Sequence, residues 1–350
     1  MKARFKKYIL DFKRPSGTSR GVLTHKESWF IVLEAEGKYG IGECGLLRGL
    51  SIDDVADYED RLQWTCDHIH LGAALLWQKL MAYPSIQFGV EQAFLSLQSP
   101  DPFELFPSDF TRSEAPIAIN GLIWMGGKEF MLEQVREKLA NGFHCIKMKI
   151  GAVDFETEWS ILKAIRQKHG ADEVQLRVDA NGSFSPEEAL GKLKLLSKLN
   201  LHSIEQPIKQ GQIREMAKLC GTTPLPIALD EELIGINDVT DKQKLLLTVQ
   251  PQFIILKPSL VGGFKGCTEW IMLANKLRIG WWITSALESN IGLNAIAQFT
   301  FGLRSSLPQG LGTGALYTNN FECPLTVENG KLYYRNDKIW KSNLIRELCT

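Results

Sequence analysis

The sequence predicts an α/β fold: a modified TIM-type (β/α) barrel with an α+β capping domain built from the N-terminal region and the C-terminal tail. Three observations carry this. Between about residue 116 and residue 320, seven short apolar runs alternate with stretches of helical periodicity. Parallel strands joined by crossover helices require that pattern. Five successive runs end in an ionisable residue at intervals of 25 to 30 residues, the length of one strand–helix unit. The flanking regions, 1–115 and 321–350, carry hairpin texture instead. The cap is therefore 1–115, completed by the 321–350 tail, and the barrel is 116–320.

In chain order, Phe5 to Leu10 and Trp29 to Leu33 read as strands. Glu36-Gly37-Lys38 turns the second into a third at Tyr39 to Ile41. The polar segment from Lys13 to Gly21, with Arg14 and Arg20, is a candidate lid or a solvated hairpin tip. Asp53 to Gln63 and Glu91 to Leu97 have helical spacing. The barrel strands are expected at Ile117–Ile123, Cys145–Lys149, Gln175–Asp179, Ser203–Glu205, Ile227–Asp230, Phe253–Lys257 and Trp281–Thr284. An eighth is expected around Gln309 to Leu311. Helices are well signalled between them. Ser185-Pro186-Glu187-Glu188 is a capping box with proline at the first helical position, followed by Leu190, Leu193, Leu196 and Leu199. Asn329-Gly330 between alternating runs marks a hairpin, and the tail that contains it is expected to pack back on the cap.

The chain has 350 residues, 40 Lys+Arg against 40 Asp+Glu, and 44% hydrophobic residues. A zero net charge removes the electrostatic footprint of a nucleic-acid binder, and the apolar fraction excludes disorder. No apolar run is long enough to span a membrane, and the basic N-terminus lacks a signal-peptide core. Seven cysteines are dispersed without a C-x-x-C pair, which favours reduced thiols over zinc or a disulfide frame. A cytoplasmic chain is expected, with no nucleic-acid or membrane partner; its oligomeric state is not readable.

The informative charges are Lys149, Asp179, Glu205, Asp230 and Lys257, each at the end of an expected strand. In a barrel those ends line one mouth, where active sites lie. Alternation places Lys147 with Lys149, and Arg177 with Asp179, on one strand face. The apolar face must meet the outer helices, so the charges point inward. A structural ion-pair network is the alternative for any one of them; five at the repeat spacing point to a functional site. Three carboxylates on neighbouring strands suit a hard cation such as Mg²⁺. A neutral lysine beside it is a usable base, and the chemistry implied is removal of a proton alpha to a carboxylate.

Lys147-Met148-Lys149, Asp179-Ala180-Asn181-Gly182, Glu205-Gln206-Pro207, Asp230-Glu231 and Lys257-Pro258-Ser259-Leu260-Val261-Gly262-Gly263 together resemble the enolase superfamily, in its muconate lactonising branch. The resemblance covers nearly the whole chain and extends to Thr284–Leu293 and Gly310–Gly314. It implies Mg²⁺ held by Asp179, Glu205 and Asp230, with Mn²⁺ able to substitute. It implies Lys149 as the base that then protonates the departing hydroxyl, and Lys257 as the ammonium stabilising the enediolate from the opposite face. Lys147 would lower the pKa of Lys149, Asn181 would lie in the substrate-binding or supporting shell, and Ser285 with the Gly312 backbone would hold a carboxylate of a small-molecule substrate. The reaction implied is syn dehydration of a hydroxy-cyclohexadiene carboxylate by a carbon–oxygen lyase. N-acylamino acid racemisation, or a related epimerisation or cycloisomerisation, is the alternative on the same lysine pair. Dipeptide epimerases of the branch carry Asp-x-Asp after the eighth strand, where this chain has Leu311-Gly312-Thr313.

Three weaker signals remain. Gly40-Ile41-Gly42-Glu43-Cys44-Gly45 fits G-x-G-x-x-G, the basis of a dinucleotide-binding or non-catalytic alternative, but it follows a hairpin strand instead of opening a βαβ unit. His68-x-His70 lacks a third ligand nearby, and Trp281-Trp282 reads as packing.

Overall fold

A computed structural model describes residues 1–18, 21–151 and 153–348. The N-terminal strands β1 (Lys2–Thr18), β2 (Gly21–Ala35) and β3 (Lys38–Cys44) form an antiparallel sheet in that order. The Trp29–Leu33 run is continuous because both faces of β2 are covered. Trp29, Ile31 and Leu33 pack under helices, while Phe30 and Val32 pack against the tail. The segment expected as a loop from Lys13 is strand as far as Thr18. Its pairing resumes at Ser16↔Leu23 after an irregularity beyond Asp11. Cross-strand hydrogen bonds outweigh its turn-prone composition. Arg20 of that expected lid lies outside the described residues.

Helices α1 (Tyr58–Asp67), α2 (Gly72–Lys79), α3 (Pro84–Gln98) and α4 (Asp109–Arg112) complete this part. The first starts at Tyr58, not at Asp53, because Asp53 serves another element. Its Oδ2 accepts from Ser85 N at 2.9 Å and Ser85 Oγ at 2.6 Å, fixing the start of α3. The sheet touches α3 backbone to backbone: a Cβ on Gly42 would stand 1.9 Å from the Gly89 carbonyl oxygen.

The expected Ile117–Ile123 strand is two elements. β4 (Ile117–Ala118) pairs with the tail, and β5 (Gly121–Ile123) is the first barrel strand. Then follow α5 (Lys128–Ala140), β6 (Cys145–Lys149), α6 (Phe155–Lys168), β7 (Gln175–Asp179), α7 (Pro186–Ser197), β8 (Ser203–Glu205), α8 (Ile213–Thr222) and β9 (Ile227–Leu229). α9 (Val239–Val249), β10 (Phe253–Leu256), α10 (Pro258–Val261), α11 (Gly263–Leu277), β11 (Gly280–Ile283) and α12 (Asn290–Gly302) continue the alternation. β5 to β11 lie side by side, all parallel, in sequence order. Single bridges Ile119↔Gln309 and Thr284↔Gly310 join the two open edges and close the barrel, so its eighth strand is minimal. The capping box at α7 is formed as read: Ser185 N donates to Glu188 Oε1 at 3.1 Å and Glu188 N to Ser185 Oγ at 3.4 Å. One apolar core lies between strands and helices, drawing Ile146, Met148, Leu176, Val178, Ile204, Leu229 and Leu256 from the strands.

The tail turns at Asn329-Gly330, both at positive φ, between β12 (Leu325–Glu328) and β13 (Lys331–Tyr334). β13 pairs with β4, while Trp340 and α13 (Leu344–Glu347) pack on Phe30, Val32 and Ile41 of the N-terminal sheet. Cys44, Cys66, Cys145, Cys220 and Cys267 are buried free thiols and Cys323 is partly buried; Cys349 lies outside the described residues. Among the described residues no helix is long and apolar enough to cross a membrane.

Candidate active site

Register sets the site. Lys149 pairs with Asp179, and Asp179 with Glu205, so the three stand abreast on β6, β7 and β8. Asp230 follows β9 and Lys257 follows β10 at the same rim. Four strand steps separate β6 from β10, half of an eight-stranded circuit, so Lys149 and Lys257 face each other across the mouth. Apolar partners alternate outward along β6, where Ile146 and Met148 are fully buried.

Each carboxylate meets an ammonium. Lys147 Nζ lies 2.5 Å from Glu205 Oε2 and 3.0 Å from Asp179 Oδ2. Lys149 Nζ lies 3.1 Å from Asp179 Oδ2 and donates to Asn181 Oδ1 at 2.8 Å. Lys257 pairs with Asp230. Burial opposes ionisation throughout, and the partners decide the outcome. For Asp179, burial is outweighed by Lys147, Lys149 and Lys257, which hold its carboxyl far below the usual range. For Glu205, burial prevails, reinforced by Asp179 and Asp230, and pushes it well above that range. Lys147 and Lys257 are both raised, burial being overcome by the surrounding carboxylates: Asp179, Glu205 and Asp230 for the first, Asp230 and Glu205 for the second.

With lysines between them, no three Asp, Glu, His or Cys side chains among the described residues converge on one point that could hold an ion. The donor set nevertheless fits a hard cation. It is oxygen-only and drawn from three neighbouring strands. Glu205 Oε1 is buried with no hydrogen-bond partner, an orphaned acceptor that a cation would satisfy.

The rim opens on a cavity of about 340 Å³. Lys147, Lys149, Asp179, Asn181, Lys257, Ser285 and Gly312 all line it; Glu205 and Asp230 lie beneath its floor, 2% exposed. Asn181, at φ 44°, receives Lys149 and passes its own amide to Glu231 Oε1 at 2.9 Å. The Ser285 hydroxyl donates to Glu288 Oε2 at 2.5 Å, and its backbone N–H to the Gly310 oxygen at 3.0 Å. Sequence reasoning missed the walls. Leu47, Arg48 and Leu50 of the segment after β3, with Leu23, reach over the mouth from the N-terminal sheet, and Trp124 stands at the end of β5. No spacing marks them, because they meet the site only through domain packing. The run Gly40–Gly45 lies within β3 up to Cys44, where it packs on α3, and opens no βαβ unit.

Comparison with known proteins gives the family and the fold. Residues 131–337 match the family described as enolase C-terminal domain-like. The chain is 45% identical to the o-succinylbenzoate synthase of Desulfotalea psychrophila, over 95% of this chain and 98% of that protein. The crystal structure of MenC from the same organism superposes with a TM-score of 0.85 at 42% identity, covering 95% of this chain and 99% of that one. A muconate lactonizing enzyme from Pseudomonas fluorescens shares the fold, with a TM-score of 0.80 at 22% identity over 95% of this chain and 92% of that one.

Proposed function

From the membership of this chain in the enolase C-terminal domain-like family, we propose that it catalyses the o-succinylbenzoate synthase reaction of menaquinone biosynthesis. In that reaction 2-succinyl-6-hydroxy-2,4-cyclohexadiene-1-carboxylate loses water to give 2-succinylbenzoate. The observation that carries the reading is the placement of Lys149 and Lys257 on facing sides of one cavity, with Asp179, Glu205 and Asp230 between them. The 45% identity selects dehydration from the reactions such a lysine pair can perform.

Asp179, Glu205 and Asp230 would hold Mg²⁺, with Mn²⁺ as a substitute. The bound cation supplies positive charge against the charge developing on the substrate carboxylate. Lys149, held by Asn181 and Asp179, takes the proton alpha to that carboxylate. Lys257 remains protonated beside Asp230 and faces the enediolate from the other side. Lys149 then returns its proton to the departing hydroxyl on the same face, and water leaves as the ring becomes aromatic. The Ser285 turn and the Gly312 backbone border the space for the second carboxylate.

The test is a product assay with Mg²⁺, following conversion of the cyclohexadiene carboxylate to 2-succinylbenzoate beside a panel of chiral N-acyl amino acids. Dehydration is the expected activity. Racemisation of an N-acyl amino acid without dehydration would replace this reading with the racemase alternative.

A further inference from the structure

The segment Gly40–Gly45 contains a buried charge that the proposed chemistry does not use. Glu43, fully buried, accepts from Ser28 Oγ at 2.7 Å, Ser289 N at 2.9 Å, Ser289 Oγ at 2.5 Å and Gly292 N at 2.9 Å. A carboxylate from the N-terminal sheet thus closes the first turn of barrel helix α12. Beside it Glu288, also fully buried, spends both oxygens inside the barrel. Its Oε2 accepts from Ser285 Oγ at 2.5 Å and its Oε1 from Ser259 Oγ. Lys26 of β2, 4% exposed, donates to Ser28 Oγ at 3.0 Å; burial lowers its pKa, against the opposing charges of Glu43 and Glu288. Gly45 makes room for this: a Cβ there would stand 2.7 Å from Ser259 Oγ and 3.0 Å from Glu288 Cγ.

Burying two carboxylates against one ammonium is costly, and hydrophobic residues would fill the space more cheaply. What the arrangement provides is position. Ser259 lies two residues after Lys257, in the single turn of α10, and Ser285 begins the cavity wall after β11. Leu256 pairs with Ile283, so these two turns leave adjacent strands at the same level. Glu288 ties them together with one oxygen each. We infer that Glu288 is a positioning residue: through Ser259 it fixes the turn that carries Lys257, and through Ser285 it fixes the carboxylate-facing wall. This rests on the role proposed above for Lys257.

The test uses the Mg²⁺-loaded enzyme and the cyclohexadiene carboxylate, with kcat and KM measured separately for Glu288→Gln, Ser259→Ala and the double variant. Glutamine keeps the shape of Glu288 but can accept from only one of the two serines. Glu288→Gln is expected to lower kcat/KM by about 10²-fold, the cost of a misplaced catalytic group. Ser259→Ala is expected to lower kcat by about tenfold with KM unchanged, since it releases only the Lys257 turn. Adding Ser259→Ala to Glu288→Gln should cost less than the two separate losses combined, because the Ser259–Glu288 bond is common to both. A folded Glu288→Gln enzyme with wild-type kcat/KM, or fully additive effects, overturns the positioning role. If Glu288→Gln fails to fold, Ser259→Ala decides alone: wild-type kcat overturns the proposal. A wild-type protein that forms no product overturns the functional reading itself, a distinct result.

Discussion

Lys147 Nζ lies 2.5 Å from Glu205 Oε2 and 3.0 Å from Asp179 Oδ2, so a protein ammonium sits between two of the carboxylates proposed as metal ligands. Its charge neutralises them and also competes for the oxygens a cation would use. Replacing Lys147 by Met is therefore expected to tighten Mg²⁺ binding by about tenfold, or ~1.4 kcal/mol, since the competing charge is gone. Calorimetric titration with Mg²⁺ checks this; unchanged or weaker binding would show that Lys147 helps to hold the ligands in place.

Metal removal tests the same cluster from the other side. Chelation should abolish turnover and Mg²⁺ should restore it. Mg²⁺ should also raise the melting temperature of the wild-type protein, by satisfying the orphaned Glu205 Oε1 and neutralising the buried cluster. In Glu205→Gln the shift should shrink or vanish. Equal stabilisation of both proteins would remove Glu205 from the ligand set.

The two facing lysines should separate by isotope exchange. Lys149→Ala lacks the proposed base, whereas Lys257→Ala lacks the ammonium that faces the enediolate. With a substrate analogue that cannot eliminate, exchange of the alpha proton in deuterated solvent should fall by at least about 10³-fold in Lys149→Ala. Lys257→Ala should retain more of it. Rapid exchange without Lys149 would place the base elsewhere.

Asp53 gives a pH-dependent stability of known sign. Burial pushes its carboxyl from 3.8 up to about 6, against the hydrogen bonds from Ser85. The folded state therefore favours the protonated form. Its stabilising contribution is full below pH 3.8 and is lost as pH rises through about 6. The loss is on the order of 3 kcal/mol. Denaturant unfolding of wild type and Asp53→Asn between pH 4 and pH 7 should show their difference moving against the wild type by that amount. Parallel curves would mean that Asp53 titrates alike in both states.

How much of this was legible follows from what each feature depends on. Lys149, Asp179, Glu205, Asp230 and Lys257 were readable because a strand end repeated at unit spacing is a property of the linear chain, and register then sets the residues abreast. The outward and inward faces of β6 followed from alternation alone. Capture of Lys147 by Glu205 was not readable, because it depends on a distance across two strand steps. Nor was the start of α1 at Tyr58: helical spacing from Asp53 onward is real, but Ser85 recruits the Asp53 carboxylate from a distant helix. The split at Ile117–Ile123 shows the same limit, since only pairing with the tail distinguishes β4 from β5. Ser259 and Thr284–Leu293 stood in the motifs that carry the resemblance, but the joining of Ser259 and Ser285 through Glu288 was not readable, because it depends on contacts between separate turns.

The middle of β1, at Asp11–Lys13, is clipped to the stretch that follows the closing strand. Lys13 N donates to the Leu316 oxygen at 2.8 Å and Thr318 N to the Asp11 oxygen at 2.9 Å. The Phe12 and Tyr317 rings meet at 4.7 Å, and the Tyr317 hydroxyl continues to the Leu287 oxygen at 2.6 Å. Leu23 of the hairpin, Leu316 and Leu287 each form part of the cavity wall. Three sides of the mouth are thus mechanically one piece. Displacing β1 at Asp11–Lys13 would break its hydrogen bonds to the stretch after the barrel seam, which Tyr317 in turn ties to the turn after β11. The Phe12–Tyr317 contact and the hydrogen bonds beside it therefore join the N-terminal sheet to two further parts of the cavity wall, well away from any group proposed to handle a proton.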